Sequence, residues 1–284
     1  MRIEDFFDLR IASLEAGEEP PADAHWARVE DPGPAELRAR GPGWYHKPCY
    51  VTWALPVPAS LEEYIARSFR AGTRNKPRKL LREAPARYRF EADDAGRGFG
   101  AFTELYRRTI GGKPRGRDRI AEHHADGFDR SWSGLYLWDG AAMVAGLLVH
   151  RLRDHLSVAY GAFDPEARRE LDLEHYLIMK VIERSAERGD PWLSLGMDTN
   201  RYGHHLPLGL PAYKLRIGFA PLPWEPSGRE LAKPARFDVF EQGLFFFAYA
   251  AGGGLEGHWF SREEPDLRTF RHHTAPPVTW HPLP

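Results

Sequence analysis

Residues 134–163 read GLYLWDGAAMVAGLLVHRLRDHLSVAYGAF, and they form the most regular pattern in the chain. Gly134–Trp138 and Ala142–Arg151 have the composition of strands, and Asp139-Gly140 between them is a strong signal for a two-residue hairpin. After a further turn, His155–Phe163 again has a strand pattern. The stretch therefore predicts an antiparallel meander of three strands.

The residues that follow predict a crossover connection. Leu171–Glu187 repeats apolar residues at helical spacing, and Gly189 stands where a glycine at a helix C-terminus belongs. Trp192–Gly196 then returns to a strand pattern. A strand, a helix and a strand in succession imply a right-handed parallel pairing that is added to the antiparallel meander. We therefore expect an α/β fold (α+β mixed sheet) with helices packed on the sheet.

Upstream of the meander the sequence predicts helices. Ser60 followed by Glu63 is a capping box that opens a helix. Pro77 is expected to interrupt this helix before a second, basic turn at Arg78–Ala84. Phe99–Thr109 repeats the helical period.

The two ends of the chain have weaker patterns. Tyr50–Leu55 is a short apolar strand, and after about Pro221 the pattern dissolves into proline, glycine and aromatic residues that favour a packed extension. We therefore divide the chain into an N-terminal lobe at 1–98 with a basic segment at 64–89, a central domain at 99–225 and a C-terminal extension at 226–284.

Composition excludes several classes of protein. The chain has 284 residues and a formal net charge of -1, whereas a dedicated nucleic-acid-binding domain is usually strongly basic. Hydrophobic residues make up 42% of the chain, which excludes a disordered acidic protein. A single cysteine, Cys49, excludes a disulfide framework and a multi-thiolate metal site. No apolar run approaches the ~20 residues of a membrane-spanning helix and no signal-peptide pattern is present, so we expect a soluble cytoplasmic protein without membrane insertion.

The balanced total hides a basic segment. Residues 64–119 carry 16 basic and 6 acidic side chains, and between residues 64 and 89 Glu83 is the only acid. The basic side chains of that interval are Arg67, Arg70, Arg74, Lys76, Arg78, Lys79, Arg82, Arg87 and Arg89. One interpretation is that these side chains form a solvated helix face or pair with the acidic N-terminal segment. The other is that they bind phosphates.

Three local features resemble the FemAB-like (BioF2-like) branch of the GNAT acyltransferase superfamily. They are the basic stretch Ser68–Arg82, the string Tyr160-Gly161-Ala162-Phe163 running into a helix, and the late string Tyr213-Lys214-x-x-x-Gly218-Phe219. The last is similar to the family's Phe-Lys-x-x-Phe-Gly, with one more residue between lysine and glycine. The resemblance covers residues 60–222 and implies a GNAT-like acyltransferase fold.

The resemblance also bears on the acyl donor. Ordinary GNAT enzymes hold the pyrophosphate of acetyl-CoA in a glycine-rich loop at a helix N-terminus. The corresponding segment here, Asp164–Asp172, has no glycine, a proline without an N–H, and four acidic residues that repel phosphate. FemAB-like proteins characteristically lack that loop, so the resemblance implies aminoacyl-tRNA as co-substrate and no bound cofactor, with acetyl-CoA as the alternative donor.

The resemblance places the catalytic group near the late lysine. Lys214 matches the family lysine that lies near the reactive end of the donor, where an ammonium stabilises an oxyanion or the ribose-phosphate of the tRNA. The alternative for Lys214 is a surface lysine on a short helix. Asp198 and Tyr202 follow the strand that starts at Trp192, and we predict them as base and acid at the acceptor site. The alternative for Asp198 is a purely structural role in a turn.

The remaining predicted contacts are with substrate. We expect Tyr160, Arg201 and Arg216 to bind substrate, with a core position as the alternative for Tyr160. The residues expected to bind tRNA phosphates are Arg70, Arg74, Lys76, Arg78 and Lys79.

We expect no metal site. The pairs His123-His124, His204-His205 and His272-His273 are adjacent residues whose side chains diverge, and they lack metal-ligand spacing. Cys49 beside Pro48 is expected to be a buried small apolar residue.

The predicted function is N-acyl transfer from an aminoacyl-tRNA to an amine of a small molecule or peptide, either a natural-product intermediate or a cell-wall precursor. An acyl-CoA-dependent N-acetyltransferase is one alternative. A non-catalytic RNA-binding or scaffold protein of the same fold is another, and the oligomeric state is left open.

Overall fold

The computed structural model describes residues 1–6, 9–15, 17–39, 41–112, 118–124, 128–200, 209–238, 240 and 243–283. Strands and helices are interspersed along this part of the chain. Through the first half they are β1 (Arg2–Phe6), β2 (Leu9–Ser13), β3 (Trp26–Glu30), α1 (Pro34–Ala39), β4 (Tyr45–Pro48), β5 (Tyr50–Pro56), α2 (Leu61–Ser68), α3 (Asn75–Arg87), β6 (Arg89–Asp93), α4 (Phe99–Gly111), α5 (Arg119–His123) and β7 (Trp132–Asp139). They continue as β8 (Ala142–Arg151), β9 (His155–Phe163), α6 (Pro165–Glu170), α7 (Leu173–Arg188), β10 (Trp192–Thr199), α8 (Gly209–Arg216), β11 (Ala220–Pro223), β12 (Arg229–Pro234), β13 (Leu244–Tyr249), β14 (Leu255–Ser261) and β15 (Val278–Pro282).

The chain folds into two compact units. One is the continuous segment Ala54–Gly196, and the other combines Met1–Trp53 with Met197–Pro284. The divisions predicted at 98/99 and 225/226 fall inside these units. Among the helices that the structure describes, none is both long and apolar enough to cross a lipid bilayer.

The unit at 54–196 contains the predicted meander and crossover. Strands β6, β7, β8 and β9 pair antiparallel in sequence order, and β10 joins β9 in parallel with Trp192 opposite His155. Asp139 pairs with Ala142, so the loop residues are Gly140 and Ala141, one residue later than predicted. Gly140 has a φ of +56° and Ala141 does not have a positive φ, which suits a type II′ hairpin with glycine at its first loop position. The sheet is therefore mixed, and this prediction is confirmed.

The crossover helix α7 ends as predicted and begins two residues later than predicted. Gly189 has a φ of +73°, its N–H donates to the Ala186 carbonyl, and the Asp190 N–H donates to the Ser185 carbonyl. These two bonds form a Schellman motif, which needs a residue with positive φ and therefore favours glycine. The short helix α6 between β9 and α7 was not predicted.

The basic helices differ from prediction at Pro77. Helix α2 begins at the predicted capping box, where Ser60 Oγ accepts from the Glu63 N–H at 3.1 Å. It ends at Ser68, and α3 then runs without interruption from Asn75 to Arg87. Pro77 lies in the first turn of α3, where a backbone N–H has no intrahelical acceptor, so the proline costs nothing there. The predicted helix break at Pro77 is wrong. The α-helical structure is instead interrupted before Pro77, between Phe69 and Arg74.

The unit at 1–53 and 197–284 contains two further sheets. One has the strand order β1-β2-β3-β12-β4 and the other the order β13-β14-β15. Phe245, Phe246 and Phe247 of β13 are all fully buried, which confirms that the extension is packed. Because both faces of this strand are covered, its side chains show no apolar–polar alternation, and the strand could not be recognised from periodicity.

Two histidines join the last two strands of this unit. His258 Nδ1 on β14 lies 3.0 Å from His281 Nε2 on β15, and His281 stacks on Phe260 with ring centroids 4.4 Å apart. Glu256 and Tyr45 also face His258. Burial lowers the pKa of both imidazoles, and the neighbouring Glu256 carboxylate opposes this effect at His258. The folded unit therefore favours the neutral rings.

We expect the free energy of unfolding to fall as the pH drops below about 6.5, where the unfolded imidazoles bind protons that the folded ones do not. Each proton that only the unfolded state binds changes the free energy of unfolding by at most about 1.4 kcal/mol per pH unit. His281→Phe keeps a ring on Phe260 but cannot bind a proton, so it should flatten the slope between pH 7.5 and pH 5.5 in urea titrations.

The matched control is His273→Phe, at an exposed histidine of the same unit. It should leave the slope unchanged. Equal slopes for wild type and His281→Phe would contradict a proton-linked His258–His281 contact.

Candidate functional site

The late Tyr-Lys-x-x-x-Gly-Phe string is a helix C-terminus. Gly218 has a φ of +94°, its N–H donates to the Leu215 carbonyl at 2.9 Å, and the Phe219 N–H donates to the Lys214 carbonyl at 3.0 Å. This pair of bonds is again a Schellman motif, with the buried Phe219 as its apolar anchor. The string therefore fixes where α8 stops and, with it, the position of Lys214.

Lys214 forms a compact cluster with a carboxylate and an indole. Its Nζ lies 2.8 Å from Asp198 Oδ1, and the side chains are 6% and 12% exposed. Trp53 Nε1 donates to the other oxygen, Asp198 Oδ2, at 2.6 Å. The Lys214 ammonium also lies 5.3 Å from the centroid of the Trp53 ring, within the range of a cation–π contact.

The electrostatics of the cluster follow from burial. A carboxylate removed from water needs hydrogen bonds and a countercharge, and Asp198 receives both, one on each oxygen. The Lys214 ammonium is held in turn by Asp198 and by the face of Trp53. A cation fixed in this way can stabilise an oxyanion that develops within its reach, and Asp198 can accept a proton passed along the same contact.

Asn200 lies two residues beyond Asp198 and ties three strands together. Its Nδ2 donates to the Pro48 carbonyl at 2.8 Å and to the Phe247 carbonyl at 2.7 Å, while its Oδ1 accepts from the Phe247 N–H at 2.9 Å. The Asn200 N–H donates to the Cys49 carbonyl at 2.8 Å. The Phe247 ring meets the Trp53 ring edge-on at 5.9 Å, so the same strand supports the indole.

A second lysine–carboxylate pair lies in the core of the same unit. Lys47 Nζ is 2.7 Å from Glu230 Oε1, and both side chains are 0% exposed. The same ammonium donates to the Asn200 carbonyl and lies over the Trp26 and Phe246 rings. The pair is therefore connected to the chain segment that carries Asp198.

The structure brings two of the three predicted catalytic residues together. Asp198 and Lys214 are in contact, although Asp198 belongs to β10 and does not follow it. Tyr202 and Arg201 lie outside the described residues. Arg216 is exposed, with its guanidinium 5.3 Å from the centroid of the Tyr213 ring.

Tyr160 belongs to the aromatic layer of the unit at 54–196. Its half-buried ring contacts those of Tyr106, His124 and Trp132, with centroids 5.6 to 6.0 Å away. Burial raises the pKa of its phenol. This is the core alternative named for Tyr160, and its predicted contact with substrate stays a prediction.

The predicted phosphate-binding residues lie on and before α3. Arg78 pairs with Glu62 at 2.8 Å and Lys79 with Glu83 at 3.5 Å, while Arg74 donates to the carbonyls of Ala66 and Phe69. Arg70, Lys76, Lys79 and Arg82 are exposed. The ion pairs are solvated, and such pairs contribute only about 0–1 kcal/mol, so phosphate oxygens can replace the carboxylates.

In the segment after β9, two aspartate side chains of the segment itself cap the N-termini of α6 and α7. Asp164 Oδ1 accepts from the Glu166 and Ala167 N–H groups of α6 at 3.0 and 3.1 Å, and Asp172 Oδ1 accepts from the His175 N–H of α7 at 3.2 Å. These N–H groups are the ones with which a helix N-terminus holds a phosphate. In this conformation the segment does not present them to a ligand.

Within the described part of the chain, no group of three or more His, Cys, Asp or Glu side chains has the geometry of a metal site. His204-His205 lies outside that part. Cys49 is buried, with its Sγ 3.9 Å from Glu230 Oε2.

Sequence reasoning missed Trp53, Asn200, Lys47 and Glu230. One signal could have found Trp53, because a tryptophan inside an apolar strand usually needs a partner for its indole N–H. Asn200 was not singled out, because the partners of its side chain lie far away in the sequence. Lys47 and Glu230 lie far apart in the sequence and carry no local signal of pairing.

Residues 67–204 match the family model described as the acetyltransferase (GNAT) domain. With the mixed sheet, this match confirms the predicted GNAT-like fold and supports acyl transfer of the GNAT type. The matched segment includes α3 and Asp198 and ends before Lys214. No curated protein matches the sequence.

Several solved structures are similar at low identity. FemX has 15% identity over 74% of this chain and 72% of its own, with a TM-score of 0.48. L-PGS from Bacillus licheniformis has 12% identity over 75% of this chain and 68% of its own, with a TM-score of 0.45. A GCN5-related N-acetyltransferase from Kribbella flavida has 14% identity over 75% and 70%, with a TM-score of 0.36. At these values the similarities decide neither donor nor acceptor.

The Lys214–Asp198 contact can be tested with a double-mutant cycle. Because both groups are largely withdrawn from water, Lys214→Met and Asp198→Asn should show a coupling energy of about 1–2 kcal/mol in urea unfolding. Lys79→Met and Glu83→Gln supply the matched cycle for an exposed pair, expected at about 0.3–0.5 kcal/mol. Equal couplings in the two cycles would contradict a desolvated Lys214–Asp198 pair.

Proposed function

We propose that this protein is an aminoacyltransferase that moves an aminoacyl group from tRNA to the amine of a small molecule or peptide. The observation that carries the choice of donor is the capping of α6 and α7 by Asp164 and Asp172. A carboxylate already fills the place where a CoA pyrophosphate would need helix N–H groups. The resemblance to FemAB-like proteins points in the same direction.

The Lys214–Asp198 pair supplies the chemistry of the transfer. The neutral amine of the acceptor attacks the ester carbonyl of the aminoacyl group, and Lys214 stabilises the oxyanion of the tetrahedral intermediate. Asp198 takes the proton that the amine loses. As the C–O ester bond breaks, the ribose oxygen receives a proton, for which Tyr202 is the predicted acid.

The exposed cations of α3 and the preceding turn supply phosphate contacts. Arg70, Lys76, Lys79 and Arg82 present their charges to solvent. An RNA stem is bound largely through its phosphates and its shape, which suits a cationic helix face.

An acyl-CoA-dependent N-acetyltransferase is the second candidate, because the matched family model is that of an acetyltransferase domain. It requires Asp164 and Asp172 to release the helix N-termini when CoA binds. Thermal stabilisation by micromolar CoA would favour it.

We expect transfer of label when the protein is mixed with radiolabelled aminoacyl-tRNAs and a panel of amines. Lys214→Met should lower the rate by about 100-fold or more, as for loss of an oxyanion donor. Lys233→Met is the matched control in the same unit and should retain activity. No label transfer together with turnover of acetyl-CoA would overturn the choice of donor.

Binding of tRNA should depend on salt through the α3 face. Replacing Arg70, Lys76, Lys79 and Arg82 by Gln should weaken binding and reduce the slope of log K against log[salt] by up to about 0.9 for each phosphate that the protein no longer neutralises. The control replaces Arg236, Arg262 and Arg268, which lie in the other unit, by Gln. If the control set lowers the slope as much as the α3 set, the binding face is not on α3.

A further inference from the structure

The segment that carries Asp198 is held by buried polar contacts that the proposed chemistry does not use. Asn200 makes three side-chain hydrogen bonds to β4 and β13, and its own N–H is bonded to Cys49. Its carbonyl accepts from the fully buried Lys47, which is paired with Glu230. Asn200 is itself 0% exposed.

We propose that Asn200, with its carbonyl held by the Lys47–Glu230 pair, is the positioning residue that fixes Asp198 against Trp53 and Lys214. Its catalytic consequence rests on the function proposed above. The geometric part of the proposal concerns the unit at 1–53 and 197–284 alone, and it can be measured without any substrate.

The side chain at position 200 must donate and accept at the same time. Two carbonyls, those of Pro48 and Phe247, face Nδ2, and one N–H, that of Phe247, faces Oδ1. An amide offers two N–H donors and a carbonyl acceptor on one planar group, and it satisfies all three partners. Aspartate would place a negative oxygen against two carbonyls, and an aliphatic residue would leave three buried polar groups without bonds.

The Lys47–Glu230 pair holds the backbone of the same residue. Glu230 on β12 supplies the countercharge that makes a fully buried ammonium tolerable. Lys47 can then direct another N–H to the Asn200 carbonyl. A buried ion pair contributes little net stability, so its presence here fits a role in fixing one conformation.

Two routes lead from Asn200 to the carboxylate. The first is the backbone, because Asn200 directly follows β10 and Asp198 is two residues away in that strand. The second passes through β13, where Phe247 is bonded to Asn200 on both its N–H and its carbonyl and packs edge-on against Trp53. Trp53 in turn donates to Asp198 at 2.6 Å. Loosening Asn200 therefore frees both the carboxylate and the indole that holds it.

The Trp53 indole N–H reports this contact directly. In ¹H–¹⁵N spectra of the full chain, its signal can be identified among the nine tryptophans by its loss in Trp53→Phe. We expect the wild-type signal to exchange slowly with solvent. Asn200→Ala and the isosteric Asn200→Asp should raise its exchange rate by about tenfold or more, because local opening becomes easier.

A second variant covers the case in which loss of Asn200 prevents folding. Lys47→Met/Glu230→Leu replaces the buried pair by apolar residues, a change that is often neutral or stabilising, and it removes the donor to the Asn200 carbonyl. It should also accelerate exchange at Trp53. Unchanged exchange in this folded double variant would overturn the proposal for the pair, and unchanged exchange in a folded Asn200 variant would overturn it for Asn200.

Arg28→Met is the matched control. Arg28 is a 1% exposed cation of the same unit that bonds to Ser13, Glu4 and Glu30. The control should lower stability but leave Trp53 exchange within about twofold of wild type. An increase as large as in the Asn200 variants would show that exchange reports only general loosening, and it would overturn the proposal.

Activity gives the second readout once transfer is established. The Asn200 variants should lower kcat and change the pH profile, with little change in KM, because they displace Asp198 without touching substrate. Absence of transfer by the wild type would overturn the proposed function only, whereas the Trp53 signal decides the positioning role.

Discussion

Withdrawal of the Asp198 carboxylate from water is the constraint on which the candidate site depends. A carboxylate with this little exposure needs a hydrogen bond on each oxygen and a nearby cation. Trp53 and Lys214 meet these needs from two other elements, β5 and α8. The end of α8 must therefore lie at one place, and the Schellman glycine Gly218 fixes it there.

Much of the fold could be predicted from local patterns. The hairpin at Gly140, the crossover helix and its glycine stop at Gly189 are each written in a few neighbouring residues, and all three are confirmed. Pro77 was misread because the effect of a proline depends on its place in a helix, which its neighbours did not reveal. Strand β13 was missed because tertiary contacts cover both of its faces.

The site was only partly predictable, because only some of its residues carry a local signal in the sequence. Asp198 and Lys214 were predicted separately, from their positions near the end of a strand and in a family-like string, and their contact with each other was not predicted. Trp53 and Asn200 reach the site through partners that lie far away in the sequence. A single sequence carries no local signal for such pairings, whereas a helix stop or a turn depends only on its own residues.

The discontinuous unit has a consequence for the order of synthesis. Strand β12, residues 229–234, lies between β3 and β4 in its sheet, so both strands lack their neighbour until most of the chain has left the ribosome. The unit at 54–196 is continuous and meets no such delay. We expect the nascent N-terminal strands to expose unpaired edges during translation, which makes them the part of the chain most dependent on chaperones. Because Glu230 belongs to β12, the Lys47–Glu230 pair can form only after that strand has been added.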